Sequence, residues 1–111
     1  MSLPKGFILA WYAWRHTTMP RLSEKNKSDP LVARLVHDVE HMGSYVYSLG
    51  TQTIAHESVE SALLVSELSE LETLNSILER CDIREDQREE FRQYIRVLRH
   101  LLEEMSQLGD K

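Results

Sequence analysis

The sequence predicts an all-α fold: a small bundle of three long helices, about 30–49, 53–81 and 83–108, plus a short apolar N-terminal helix, about 5–18. Three observations carry this reading. Apolar residues return every three or four positions through most of the chain. Gly and Pro are scarce, four and three in 111 residues, so few places force a helix to stop. Two sites carry helix-start chemistry, Asp29-Pro30 and Asp82-Ile-Arg-Glu85. The length fits a single domain, 1–111, with 19–28 as a loop. A core of that size is modest, and bundles this short gain stability by pairing, so self-association is expected.

The first helix contains the run Phe7-Ile-Leu-Ala-Trp-Tyr-Ala-Trp14. Eight residues are too few to cross a bilayer, which needs about 20. Arg15 and His16 follow the run directly, where a secretory signal has a small-residue cleavage site. The run is apolar on every side of a helix. Both tryptophans, Trp11 and Trp14, lie in it, and they serve either the core or a dimer or partner contact.

The stretch PRLSEKNKS from Pro20 is polar, basic and without apolar periodicity, hence the loop. Asp29 as N-cap with Pro30 in the first turn then opens the second helix. Its stripe is Leu31, Leu35, Val39, Met42, Val46 and Leu49, with Gly50 read as the C-terminal stop. Gly43 lies inside it, at a cost of about 1 kcal/mol relative to Ala, and suits the close approach of a neighbouring helix.

The third helix, from 53 to 81, contains neither Pro nor Gly and reads as unbroken. It has two apolar seams. Ser61, Leu64, Leu68, Leu71, Asn75 and Leu78 form a heptad pattern with Asn75 at an a position, where a buried Asn fixes register. Val59, Leu63, Leu74, Ile77 and Cys81 form the other. Three polar residues, His56, Glu60 and Glu67, project onto this leucine face. Each buried carboxylate there needs a partner or a path to water. The last helix starts near Ile83 behind the Asp82/Glu85 capping box and ends at Gly109. Phe91, Tyr94, Ile95, Leu98, Leu101, Leu102 and Met105 are its apolar face, and the short turn makes it an antiparallel hairpin with the third helix.

The net charge of −5 is unevenly spread. Residues 1–37 carry six basic and two acidic side chains, the rest seven and sixteen. The lone cysteine, Cys81, excludes an intramolecular disulfide and fits a reducing, cytoplasmic setting.

Chemistry-bearing constellations are sparse. Five histidines invite a hemerythrin-like di-iron reading, through His37/His41, His56/Glu60, His100/Glu104 and His16. On helical wheels only His56 and Glu60 face a core, so no metal site is expected, and these two are the only residues placed to serve one. The pairs Glu57-x-x-Glu60 and Glu79-x-x-Asp82 resemble the carboxylate spacing of MazG-like nucleotide pyrophosphohydrolases, which hold magnesium between two helices. Along one helix they stand about 30 Å apart and form no common site. Arg34-x6-His41 resembles the Arg–His spacing of HEPN-like ribonucleases without the surrounding pattern.

Arg84, Arg88, Arg92, Arg96 and Arg99 line one stripe of the last helix, a possible contact for phosphates or an acidic partner. Glu85, Glu89 and Glu103 flank them as intrahelical pairs, each worth only about 0.2–0.5 kcal/mol. The leading expectation is a non-enzymatic protein–protein interaction module, an adaptor, regulator or assembly factor acting as a homo-oligomer without a cofactor. Trp11, Trp14, Leu64, Leu68, Leu71, Asn75 and Leu78 are its expected contacts. A nucleic-acid-associated protein using the arginine stripe is the alternative. A metal- or nucleotide-dependent helical enzyme stands third.

Overall fold

A computed structural model describes residues 3–22, 26 and 28–108. It contains four helices: α1 (Lys5–Arg15), α2 (Pro30–Ile54), α3 (Ser61–Arg80) and α4 (Glu85–Leu108). The expected stop at Gly109 and most of the loop at 23–27 lie outside the described residues. α4 packs against each of the other three helices, most extensively α3 and α1, and α2 packs against α3. The chain measures 49 × 25 × 17 Å. Among the described residues no helix is long and apolar enough to cross a membrane.

α1 ends three residues before the expected 18, at Arg15. Its last carbonyls find side-chain donors there: His16 Nδ1 lies 2.8 Å from Tyr12 O, and Thr17 Oγ1 donates to Ala13 O at 2.6 Å. α2 starts as its sequence dictates. Asp29 Oδ1 accepts from Leu31 N at 2.9 Å, and Pro30 occupies the first helical position, where no N–H is needed.

α2 does not stop at Leu49. Gly50 is helical, and no described glycine has a positive φ. A Cβ at Gly50 would overlap the six-membered ring of Trp11. This glycine is therefore a close-approach site rather than a cap. Gly43 has the role the sequence suggested, with the Tyr94 hydroxyl 3.3 Å from where its Cβ would stand.

Of the expected helix over 53–81, only Ser61–Arg80 forms α3, and 53–54 end α2. The chain turns at 55–60, and His56 is the one described non-glycine residue with positive φ, at 60°. Glu57 N donates to Gln52 O at 2.8 Å and His56 N to Thr53 O at 3.0 Å. These nested bonds close a helix around a left-handed residue that is usually Gly. A left-handed conformation costs an ordinary residue about 1–2 kcal/mol, part of which Gly returns through its larger unfolded-state entropy. His56→Gly is thus expected to raise stability by about 0.5–1 kcal/mol. A lower urea midpoint for that variant would contradict the turn.

α4 begins at Glu85, not near Ile83, and Asp82 does not cap it. The Arg84 carbonyl accepts the first bond, from Arg88 N at 2.9 Å. Ile83 is buried instead, which anchors the non-helical 82–84 to the core. Glu85 and Asp86 in the first turn complement the helix dipole. The α3–α4 pair is the expected antiparallel hairpin, with Glu79 facing Arg92 and Glu72 facing Arg99.

The core forms one cluster. Leu35, Val39, Met42, Val46 and Leu49 of the α2 stripe are buried, with Val32 taking the place expected for Leu31. All seven residues of the expected α4 face are buried. From α3, both seams enter the core: Leu64, Leu71 and Leu78 from one, Leu74, Ile77 and Cys81 from the other. Full burial of each such aliphatic side chain contributes about 1.5–3 kcal/mol. Leu22 anchors the segment after α1 in the same cluster.

Candidate functional site

Three surfaces combine chemistry with access. The first is built on α1, which lays Phe7, Ala10 and Trp14 into the core. Trp11 is half-buried between α1 and α2: its ring stacks on Phe7 at 6.3 Å, and its centroid lies 5.6 Å from Trp14 and 5.8 Å from Tyr47. Arg15 covers this cluster from outside, its guanidinium carbon 4.7 Å from the Tyr47 ring centroid and 5.8 Å from Trp14. Both tryptophans, expected as partner contacts, thus hold α1 to its own chain. What α1 turns outward is Ile8, Leu9 and Tyr12, with Leu9 58% and Tyr12 57% exposed.

The second surface is the arginine face of α4, which the chain uses largely on itself. Arg88 Nη1 donates to Leu78 O at 2.6 Å and Nη2 to Ile83 O at 3.4 Å, closing the C-terminus of α3. Arg92 forks onto Glu79 at 2.8 and 3.0 Å and also donates to Glu85 and Glu89, each at 3.0 Å. These bonds, that to Glu79 foremost, hold Arg92 still more firmly protonated. The bond from Arg92 pulls the Glu79 carboxyl below the ordinary range. Arg92 and then Arg88 do the same for Glu85.

Arg99 bonds to Glu72, and Arg84 lies 3.2 Å from Asp86. Arg96 alone of the five has no ion pair among the described residues. It borders a cleft of about 220 Å³ with Asn75, Glu79, Arg92, Ile95 and Arg99. Asn75, expected as a buried a-position residue, is half-buried at this edge. Leu68 is half-buried too, while Leu64, Leu71 and Leu78 belong to the chain's own core.

The third surface centres on Glu67. Of the polar trio expected on the leucine face, only Glu67 is buried, at 6% exposure. His56 and Glu60 lie exposed in the turn before α3, because the helix that would have carried them inward ends at Ile54. Glu67 makes no hydrogen bond or ion pair with a described residue. Burial raises its carboxyl pKa above the usual range, Glu70 adds to the rise, and His41 opposes it. His41 and Glu70 border a cleft of about 340 Å³ beside it, with Arg34 and Asp38.

The histidines stay apart from one another's helices. His37 and His41 stack with centroids 6.5 Å apart on the exposed side of α2, and His100 Nε2 lies 3.9 Å from Glu104. Among the described residues no group of three or more His, Cys, Asp or Glu could hold a metal ion. The paired carboxylates at 57/60 and 79/82 are kept apart by the full length of α3. Arg34 is 3.5 Å from Asp38 rather than turned to His41. The Cys81 thiol is buried, and that burial pushes its pKa up.

The signal for the α3–α4 pairing was present in the sequence. Glu72 and Glu79 are seven residues apart, as are Arg92 and Arg99, so one antiparallel register joins both pairs. The outward face of α1 carried no such signal, since the whole run is apolar. Comparison of the chain with family models, with curated proteins and with solved structures yields no match.

Proposed function

We propose that the protein is a helical protein–protein interaction module, an adaptor or assembly factor, that associates through the outer face of α1, in the first instance with a second copy of itself. The observation that carries this is the set Ile8, Leu9 and Tyr12, three large apolar side chains left on the outside of one short helix. α1 is anchored behind them by the Phe7, Trp11 and Trp14 rings, so the face is presented rigidly and binding it costs little ordering entropy. A single free thiol fits a reducing compartment, and the proposal sets this work in the cytoplasm. Nucleic-acid contact through the α4 arginines is the weaker reading, because Arg88, Arg92 and Arg99 already have acceptors within the chain.

Sedimentation of the wild type and of a Leu9→Glu/Tyr12→Glu variant, over roughly a hundredfold range of concentration, tests the proposal. The wild type is expected to sediment above the 13.0 kDa chain mass, and the variant at that mass with unchanged helical content. A wild type that stays at 13.0 kDa throughout removes self-association. Two identical oligomers would move the contact away from α1.

A further inference from the structure

The groove where the end of α1 meets α2 and α4 holds about 510 Å³, within the roughly 300–1,000 Å³ of small-ligand sites. Its walls are the rings of Trp14, Tyr47 and Tyr94, and its floor is opened by Gly43, which has no side chain to fill it. None of Ile8, Leu9 and Tyr12 lines it, so the groove is independent of the face proposed for association.

Trp14 is 6% exposed, and its Nε1–H is buried without a partner. Buried donors are nearly always satisfied in folded proteins, so this orphan marks a place where an acceptor is due. Tyr94 is 7% exposed, and its hydroxyl, lying over Gly43, makes no hydrogen bond with a described residue and is free to donate to a ligand. Arg15 stands at the same wall with no carboxylate partner among the described residues, its guanidinium carbon 4.7 Å from the Tyr47 ring centroid. Glu40 is the one acidic group at the groove, on the α2 side.

We infer that this groove binds a small planar aromatic anion. The flat body lies against Trp14, Tyr47 and Tyr94, and the carboxylate end meets Arg15 and the Tyr94 hydroxyl. Glu40 repels that end and so fixes its direction, towards α1.

The test is a titration with 2-naphthoate, followed by the Trp14 indole N–H resonance in proton–nitrogen NMR spectra and assigned with a Trp11→Phe variant. The ring current of the bound naphthyl group should move this resonance saturably. Arg15→Gln, a surface change that leaves the fold intact, should weaken binding roughly tenfold, and Tyr94→Phe, which keeps the ring, about threefold. The cationic analogue 2-naphthylmethylammonium should bind more weakly than the carboxylate. The inference is overturned by the absence of a saturable shift, by wild-type affinity in both variants, or by tighter binding of the cation.

Discussion

Gly50→Ala is expected to destabilise the protein by about 2 kcal/mol, although Ala is the better helix former by about 1 kcal/mol. The added methyl would overlap the Trp11 ring. That ring is held between Phe7 and Tyr47 with Trp14 beside it, so moving it breaks these contacts. Overpacking of this kind costs about 1–3 kcal/mol, and displacing the ring forfeits aromatic contacts worth about 0.5–1.5 kcal/mol each. Together these exceed the propensity gain. α1 should swing away from α2, seen as a red shift of tryptophan emission alongside a lower urea midpoint.

The sign of the effect inverts when the obstacle is removed. In a Trp11→Ala background the ring atoms nearest the added methyl are gone, and Gly50→Ala should then stabilise by up to about 1 kcal/mol. A neutral or stabilising Gly50→Ala in the wild type would show that Trp11 does not lie on Gly50.

The same residue shows where sequence reasoning reached its limit. A glycine near the end of an apolar stripe has two physical uses, a left-handed stop or a bare patch for a neighbour, and the letter is the same for both. Here the neighbour is 39 positions away in sequence, so nothing local chooses between them. The true end of α2 fails in the opposite way. His56 takes the left-handed position without being Gly, and the stretch from Ala55 to Glu60 contains no residue that forbids a helix.

What was legible depended on local chemistry or long periodicity: the Asp29-Pro30 start, the α2 stripe and the complete buried face of α4. The two seams of α3 were legible as well, but not where they point. They serve two neighbours, α2 and α4, both within the chain. That is why Leu64, Leu71 and Leu78, expected at a subunit contact, are core residues, while the apolar side chains α3 leaves outward are Leu63 and Val65.

Glu67 is the core position where local chemistry and fold disagree most, and replacing it should raise stability. It occupies the same buried face of α3 as Leu64 and Leu71, yet carries a carboxylate that nothing described bonds to. Glu67→Leu is expected to stabilise the fold by about 1–2 kcal/mol at neutral pH, from apolar burial and the loss of an unpaired charge. The pH dependence separates these two parts. The folded-state pKa of Glu67 is raised from 4.5, so ionisation penalises the folded form as pH rises through that value.

The advantage of the leucine variant should therefore be largest above the folded pKa and shrink as pH falls towards 4.5, where the wild type takes up its proton. Glu79 and Glu85 have lowered pKa values and act in the opposite direction, but they are common to both proteins and cancel in the difference. Chemical denaturation of the two proteins across that range is the measurement. A leucine variant less stable at neutral pH would mean that Glu67 has a cationic partner in the assembled protein. The loss should then grow with protein concentration, as a contribution from a second copy must.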